Sequence, residues 1–108
     1  MKVFVSLPIT GCEKWARKEA ARVKSELVKQ GYEVVTPFEC APEPNKPIGY
    51  YMGRCIEALL SCDAVCQNPY AFDSKGCRLE DVAMHLYDKK RVKYPYSNRY
   101  CVEPPEYD

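Results

Sequence analysis

The sequence has 108 residues and a formal net charge of +1, with 46% hydrophobic and 29% charged residues. This length suits one domain with a modest core, and the composition is that of an ordinary globular protein. The balanced charge argues against a nucleic acid polymer as partner, because proteins that bind such polymers usually carry a basic excess. The apolar run before Pro8 is too short for a secretory signal or a membrane span, so we expect a cytoplasmic protein without a membrane partner.

Seven cysteines could indicate a disulfide scaffold or a metal site, but the pattern favours neither. Their number is odd, C-x-x-C is absent, and His85 is the only histidine. We therefore expect reduced thiols that pack as small hydrophobic side chains, and no metal or cofactor.

The predicted elements alternate between strand and helix along the chain. An apolar strand at 2–6 precedes a helix at 13–30, and Gly31 is placed to cap that helix. One face of the helix should be buried, and it carries Ala16, Ala20, Val23 and Leu27. The remaining elements are a strand at 32–36, a Pro-rich loop at 37–47, a helix at 48–61, a strand at 63–66, a loop at 68–73, a helix at 75–88 and a short strand at 91–94.

This alternation predicts a parallel sheet with right-handed crossovers. We expect a small flavodoxin- or Rossmann-like three-layer α/β domain over residues 1–94, with a sheet of four or five strands. Residues 95–108 form a tail rich in Pro and Tyr. In the helix at 75–88, apolar spacing predicts an inward face made of Leu79, Val82, Ala83 and Leu86.

Ligands of such sheets bind at the carboxyl ends of the strands, which here precede loops 7–12, 37–47 and 67–75. In the last of these, Ser74-Lys75-Gly76 leads into a helix that carries Glu80 one turn later. Amide groups and the helix dipole make such a turn a candidate anion site. The alternative interpretation is a serine N-cap, a glycine needed for close packing and a solvated glutamate.

The second candidate is the loop Ser6-Leu7-Pro8-Ile9-Thr10-Gly11 after the first strand. Its hydroxyls and amides could reach the same cleft. It is neither a dinucleotide fingerprint nor a phosphate-binding P-loop.

The order and spacing of three motifs resemble the nucleoside 2-deoxyribosyltransferase superfamily, which includes the 2′-deoxynucleoside 5′-phosphate N-hydrolases. These motifs are the Ser6 to Gly11 loop, Cys62-Asp63-Ala64-Val65, and Ser74-x-Gly76-x-x-x-Glu80-x-x-x-Ala83. The chain looks closest to small uncharacterised phage and bacterial members. By this resemblance, Glu80 is the nucleophile that attacks the anomeric carbon, as a carboxylate does in retaining glycosidases.

The resemblance also implies the binding residues. Ser74 and Gly76 would hold a 5′-phosphate, and the loop carrying Ser6, Pro8, Thr10 and Gly11 would close over the same nucleoside or nucleotide. Dimers or higher oligomers are usual in the superfamily, so we expect a homo-oligomer. The tail tyrosines would suit such an interface.

Two positions depart from the superfamily pattern. Eight residues before Asp63, where the enzymes carry an aspartate, this chain has Cys55. Near the end of the first strand, Phe4 occupies the place of a tyrosine that orients the nucleophile. The leading hypothesis is therefore a deoxyribosyl N-glycosidase or transferase with Glu80 as nucleophile. The alternative is a catalytically degenerate nucleotide-binding or sensing protein, and a third hypothesis is an interaction protein that uses its tail.

Overall fold

The computed structural model describes residues 1–96 and 102–107. Within this part of the chain, one sheet contains the strands Lys2–Ser6 (β1), Glu33–Val35 (β2), Ala64–Gln67 (β3) and Lys90–Arg91 (β4). Their spatial order is β2-β1-β3-β4, and every neighbouring pair is parallel. The predicted four-stranded parallel sheet is confirmed.

The helices are Glu13–Lys29 (α1), Pro37–Cys40 (α2), Ile48–Ser61 (α3) and Lys75–Leu86 (α4), with a short 3-10 helix at Ala71–Asp73. Side chains of β1 alternate between the two faces of the sheet. Val3 and Val5 join the core cluster with α1, whereas Phe4 joins a second cluster with α3 and α4. Helices therefore cover both faces, which confirms the three-layer α/β prediction.

The first helix follows the sequence prediction closely. Its predicted inward residues Ala16, Ala20, Val23 and Leu27 are all buried. Gly31 has a φ of +93°, the left-handed conformation that glycine adopts without strain. Its N–H donates to the Val28 carbonyl and the next N–H donates to the Leu27 carbonyl, so the helix ends in a Schellman motif.

The prediction of an uninterrupted loop at 37–47 was wrong, because α2 occupies its beginning. Thr36 caps this short helix, with Pro37 at the first helical position. The Thr36 backbone N–H donates to Glu39 Oε1 at 3.0 Å, which completes a capping box. The prolines of the segment favoured a loop in the sequence analysis, so the capping box formed by Thr36 and Glu39 was not recognised.

The predicted inward face of the third long helix, α4, was correct for Ala83, which is buried, and wrong for the other three residues. Leu79, Val82 and Leu86 are 50%, 51% and 72% exposed. The residues buried beside Ala83 are Cys77, Glu80 and Met84. The helix is rotated so that a carboxylate, rather than a leucine, points toward the sheet.

The last strand is shorter than predicted, and the chain beyond it packs on its own domain. Tyr94 is buried, and Val102 belongs to the core cluster on the α1 face. The Tyr70 hydroxyl donates to the Val102 carbonyl at 3.4 Å. Tyr96 and Tyr107 are exposed, and the predicted interface residue Tyr100 lies outside the described residues. In the described chain, no helix is both long and apolar enough to cross a membrane.

A buried polar network ties α1 to the segment after β4. The Tyr94 hydroxyl donates to Glu19 Oε2 at 2.6 Å and accepts from Asn68 Nδ2 at 2.8 Å. Arg22 donates to both Glu19 oxygens at 2.9 Å and to the Pro95 carbonyl. Burial raises the pKa of Glu19, but the bonds from Arg22 and Tyr94 outweigh it and hold that pKa below its usual range. Glu19 is therefore ionised and fully paired at neutral pH.

Replacing Tyr94 with Phe should destabilise the fold by about 1–3 kcal/mol, because Glu19 and Asn68 each lose a buried partner. Urea unfolding followed by circular dichroism would measure this loss. The matched control is Tyr96→Phe at an exposed position, which should leave the free energy of unfolding unchanged. Equal stabilities of the two variants would contradict a structural role for the network.

Candidate functional site

The predicted site residues gather at the carboxyl edge of the two central strands. Ser6 ends β1 and pairs with Gln67 at the end of β3. The chain runs from β1 outward to β2 and then crosses back to β3, so the strand order reverses between β1 and β3. This reversal is the place where open parallel sheets bind ligands.

Glu80 lies at this reversal, in direct contact with Ser6. The Ser6 hydroxyl donates to Glu80 Oε1 at 2.7 Å. Ser6 has no exposed surface, and Glu80 is only 5% exposed. The bond joins α4 to the end of the central strand and fixes the orientation of the carboxylate. The interpretation of Glu80 as a solvated surface residue was therefore wrong.

The ionisation of Glu80 reflects this burial. Removal from water raises its pKa to about 7, because desolvation disfavours the charged form. The hydrogen bond from Ser6 lowers the pKa and so offsets part of this effect, while nearby Cys40 raises it further. Near neutral pH the carboxyl group is therefore present in both its protonated and its ionised form. Buried acids with such pKa values cluster at functional sites.

Ser74 and Gly76 lie at the start of α4, the helix that carries Glu80. The Ser74 side chain caps the helix by accepting from the Cys77 N–H at 3.3 Å. A β-carbon at Gly76 would lie 3.1 Å from the sulfur of Met52, so close packing with α3 favours glycine here. The N-cap and packing roles are thus both present. The Ser74 hydroxyl hydrogen can still donate to a ligand, because a hydroxyl donates and accepts at once.

The predicted site residues in the loop after β1 differ in exposure and in backbone conformation. Pro8 is fully buried, whereas Thr10 is exposed at the turn. Gly11 has a φ of +80°, and a β-carbon there would lie 3.4 Å from Cδ1 of Tyr107. The structure therefore brings Ser6 to Glu80 and places the aromatic ring of Tyr107 over the Gly11 turn.

The two departures from the superfamily pattern lie in the core below this site. Phe4 and Cys55 belong to the same buried cluster as Ala83 and Met84 of α4. Contact with the Cys40 thiol, burial and the Glu80 charge all raise the pKa of Cys55, so Cys55 stays protonated at neutral pH. Cys55 is therefore close enough to Glu80 for the Glu80 charge to affect its pKa, but a protonated thiol does not act as a base.

Sequence reasoning missed two other thiols near Glu80. Cys77 lies one turn before Glu80 on the same buried face, and burial raises its pKa to about 11. Its spacing of three residues from Glu80 was a usable signal. Cys40 ends α2 and reaches the site through tertiary packing, for which the sequence carried no signal.

A separate cleft of about 480 Å³ lies between α1 and the C-terminal segment. Its lining includes Trp15, Lys18, Glu106 and Tyr107, and it contains none of the predicted site residues. Throughout residues 1–96 and 102–107, no group of three or more His, Cys, Asp or Glu side chains is arranged to hold a metal ion.

These features define a small flavodoxin-like α/β domain with a buried carboxylate, held by a serine, at the edge where such folds bind ligands. The chain belongs to the family described as Domain of unknown function (DUF4406), whose family model matches residues 1–94. The matched region includes the sheet, the four helices and every predicted site residue. No curated protein matches the chain.

The raised pKa of Glu80 predicts a stability difference that depends on pH. Its folded pKa of about 7 exceeds the ordinary value of 4.5, so the folded state binds the proton more tightly. Relative to Glu80→Gln, the contribution of Glu80 is fully present below about pH 4.5 and is lost as the pH rises to about 7. The loss should be on the order of 3 kcal/mol.

Urea unfolding of both proteins across this pH range would measure the effect. Glu57→Gln, at an exposed position of α3, is the control, and its stability should parallel that of the wild type. Parallel curves for the wild type and Glu80→Gln would show that burial does not shift the Glu80 titration.

Proposed function

We propose that this chain is a nucleoside or nucleotide deoxyribosyl N-glycosidase, or a related transferase, with Glu80 as nucleophile. The observation that carries the proposal is the hydrogen bond from Ser6 to the buried carboxylate of Glu80 at the strand-order reversal. The resemblance to the deoxyribosyltransferase superfamily supplies the substrate class.

The Ser6 hydroxyl supports this proposal because it supplies what Phe4 lacks. In the superfamily a tyrosine at the Phe4 position orients the nucleophile. Ser6 lies two residues further along β1 and therefore on the same face of the sheet. Its 2.7 Å bond holds Oε1 of Glu80, and the proposed attack uses Oε2. We propose that Ser6 is the positioning residue for Glu80.

The burial of Glu80 suits the proposed reaction. A Glu80 oxygen would bond to C1′ of the sugar while the bond from C1′ to the base nitrogen breaks, and the electron pair would leave with the base. Water, or a second base, would then release the sugar from the glutamyl ester. Positive charge develops on the sugar during this step, and a carboxylate in a dry site stabilises it more strongly than one in water.

The leaving base would receive little help from Cys55. A protonated, buried thiol is a weak acid, and it stands where the superfamily enzymes use an aspartate. Loss of a general acid lowers rates by about 10²–10⁴. We therefore propose slow turnover, fastest for bases that depart readily.

The activity test is base release from a panel of 2′-deoxynucleosides and their 5′-monophosphates, followed by chromatography. The wild type should release base. Glu80→Gln should abolish release, and Ser6→Ala should lower kcat by about 10–100-fold because the nucleophile loses its orientation. Glu57→Gln is the matched carboxylate control and should retain full activity.

A wild-type rate equal to that of Glu80→Gln would refute the glycosidase proposal.

The same panel tests whether Ser74 binds the 5′-phosphate of the substrate. If Ser74 holds it, Ser74→Ala should raise KM for the monophosphates and leave the KM for nucleosides unchanged.

The second candidate is a catalytically degenerate nucleotide-binding or sensing protein, and the buried Cys55 thiol favours it. Titration calorimetry with the same nucleotides discriminates between the candidates, because tight binding without base release supports a binder. In that case the double variant Cys55→Asp with Phe4→Tyr should gain activity. Absence of both binding and turnover would refute both candidates.

We also propose that the chain forms a homodimer or higher oligomer. Three apolar side chains of α4, Leu79, Val82 and Leu86, support this because each is at least half exposed. A second copy of the chain covering these three side chains would remove them from water.

We propose a cytoplasmic location as well. Cys40, Cys55 and Cys66 are free thiols, which supports a reducing compartment.

Light scattering should detect the oligomer, and the double variant Val82→Glu with Leu86→Glu should be monomeric because charge would be buried at the contact. The control is Val28→Glu on α1, at an equally exposed apolar position, which should leave the mass unchanged. A monomeric wild type would refute the proposal.

A further inference from the structure

Two thiols from different helices meet beside Glu80. Sγ of Cys40, the last residue of α2, lies 3.9 Å from Sγ of Cys55 in the middle of α3. The pair is separated by 15 residues of sequence, which include the loop between the two helices. The contact is therefore a product of the fold.

The two thiols differ in exposure. Cys40 is partly exposed, whereas Cys55 is only 5% exposed. A small polar reagent can therefore reach Cys40 more readily than Cys55. Cys62, Cys66 and Cys77 are each at most 2% exposed, so Cys40 is the accessible sulfur of this group.

The two thiols also differ in acidity. The contact with Cys55 lowers the pKa of Cys40, although burial opposes this effect. Arg54 adds positive charge nearby, and its Nε donates to the Cys40 carbonyl at 2.9 Å. The same contact raises the pKa of Cys55. Cys40 therefore ionises more easily than an ordinary cysteine, while Cys55 keeps its proton. Pairs of an attacking and a resolving cysteine show the same difference.

We propose that Cys40 and Cys55 form a redox-active dithiol that a peroxide converts into an intramolecular disulfide, with Cys40 oxidised first and Cys55 resolving it. The 3.9 Å contact between a reachable and a sheltered sulfur carries this inference. It is independent of the proposed glycosidase activity.

The chemistry balances with hydrogen peroxide as the oxidant. The Cys40 thiol loses its proton, and its thiolate attacks one peroxide oxygen. The O–O bond breaks and hydroxide leaves, which takes up that proton as water, so Cys40 becomes a sulfenic acid. The Cys55 sulfur then attacks the Cys40 sulfur. The S–S bond forms, the S–O bond breaks, and the departing hydroxide takes the Cys55 proton as water. In total, two thiols and one peroxide give one disulfide and two waters.

The geometry requires a modest movement. A disulfide brings the sulfurs to about 2.0 Å, so the present separation must roughly halve. Cys55 is held within α3, but Cys40 is the last residue of a four-residue helix and is followed by loop 41–47. A rotation of the Cys40 side chain with a small shift of this segment would close the gap.

The test treats the reduced full-length chain with one equivalent of hydrogen peroxide. Intact mass spectrometry should show the loss of two hydrogen atoms, reversed by dithiothreitol. After alkylation and digestion with trypsin and chymotrypsin, the product should be a cross-link between the peptides that contain Cys40 and Cys55. Cleavage after Leu60 separates Cys55 from Cys62 and makes the assignment unique.

Three variants complete the test, each checked for native circular dichroism. Cys55→Ser should stop at a sulfenic acid on Cys40, which dimedone traps. Cys40→Ala should oxidise Cys55 about tenfold more slowly, because Cys55 and the other remaining described thiols are buried. Cys62→Ser is the matched control and should form the disulfide at the wild-type rate.

Any of three results would overturn the proposal. These are oxidation of Cys55 at the wild-type rate in Cys40→Ala, a dominant cross-link that involves another cysteine or a second chain, and irreversible oxidation of Cys40 without a disulfide. Base release or nucleotide binding decides none of them, so this inference and the proposed function can fail separately.

Discussion

The hydrogen bond between Ser6 and Glu80 is the constraint on which the arrangement of α4 depends. Burial of a carboxylate is costly unless hydrogen bonds compensate it. Ser6 supplies that compensation from the end of the central strand, and the helix must face the strand accordingly. Because Glu80 points inward, Leu79 and Val82 are left at the surface. An apolar residue at position 80 would pack at lower cost, so stability alone does not account for this glutamate.

The sequence predicted the architecture well because the determinants of architecture are local. Alternating strand and helix patterns imply a parallel sheet, and Gly31 marked a helix end that requires a positive φ. The errors arose where tertiary contacts decided the outcome. On α4, one apolar arc through Leu79 and Leu86 and another through Cys77 and Met84 share Ala83, and helical spacing cannot choose between them. The rotation depends on tertiary contacts such as the bond from Ser6, which is 74 residues away from Glu80 in sequence.

The positions of the candidate site residues could be predicted from the sequence, but the contact between their side chains could not. The rule that ligands bind beyond strand ends selected both Ser6 and Glu80, but it could not show that their side chains touch. The short helix α2 had a local signature in Thr36, Pro37 and Glu39 that the surrounding prolines obscured. The position of Cys40 beside Cys55 had no such signature. It depends on how α2 packs against α3, so treating all cysteines as inert core residues overlooked their unequal exposure.

The pKa of Glu80 bears on the choice between the two proposed functions. With a pKa of about 7, the carboxyl group is only partly ionised at neutral pH among the protein groups that surround it. An adjacent cationic sugar would favour the ionised form strongly, whereas a neutral ground-state sugar would not. An interaction that strengthens as charge develops in the transition state accelerates the reaction. An interaction that is equally strong in the ground state and the transition state contributes only to binding. A passive nucleotide sensor would derive no benefit from a desolvated carboxylate beside the sugar. The buried Glu80 therefore favours the glycosidase proposal, and Cys55 limits how fast the proposed reaction could proceed.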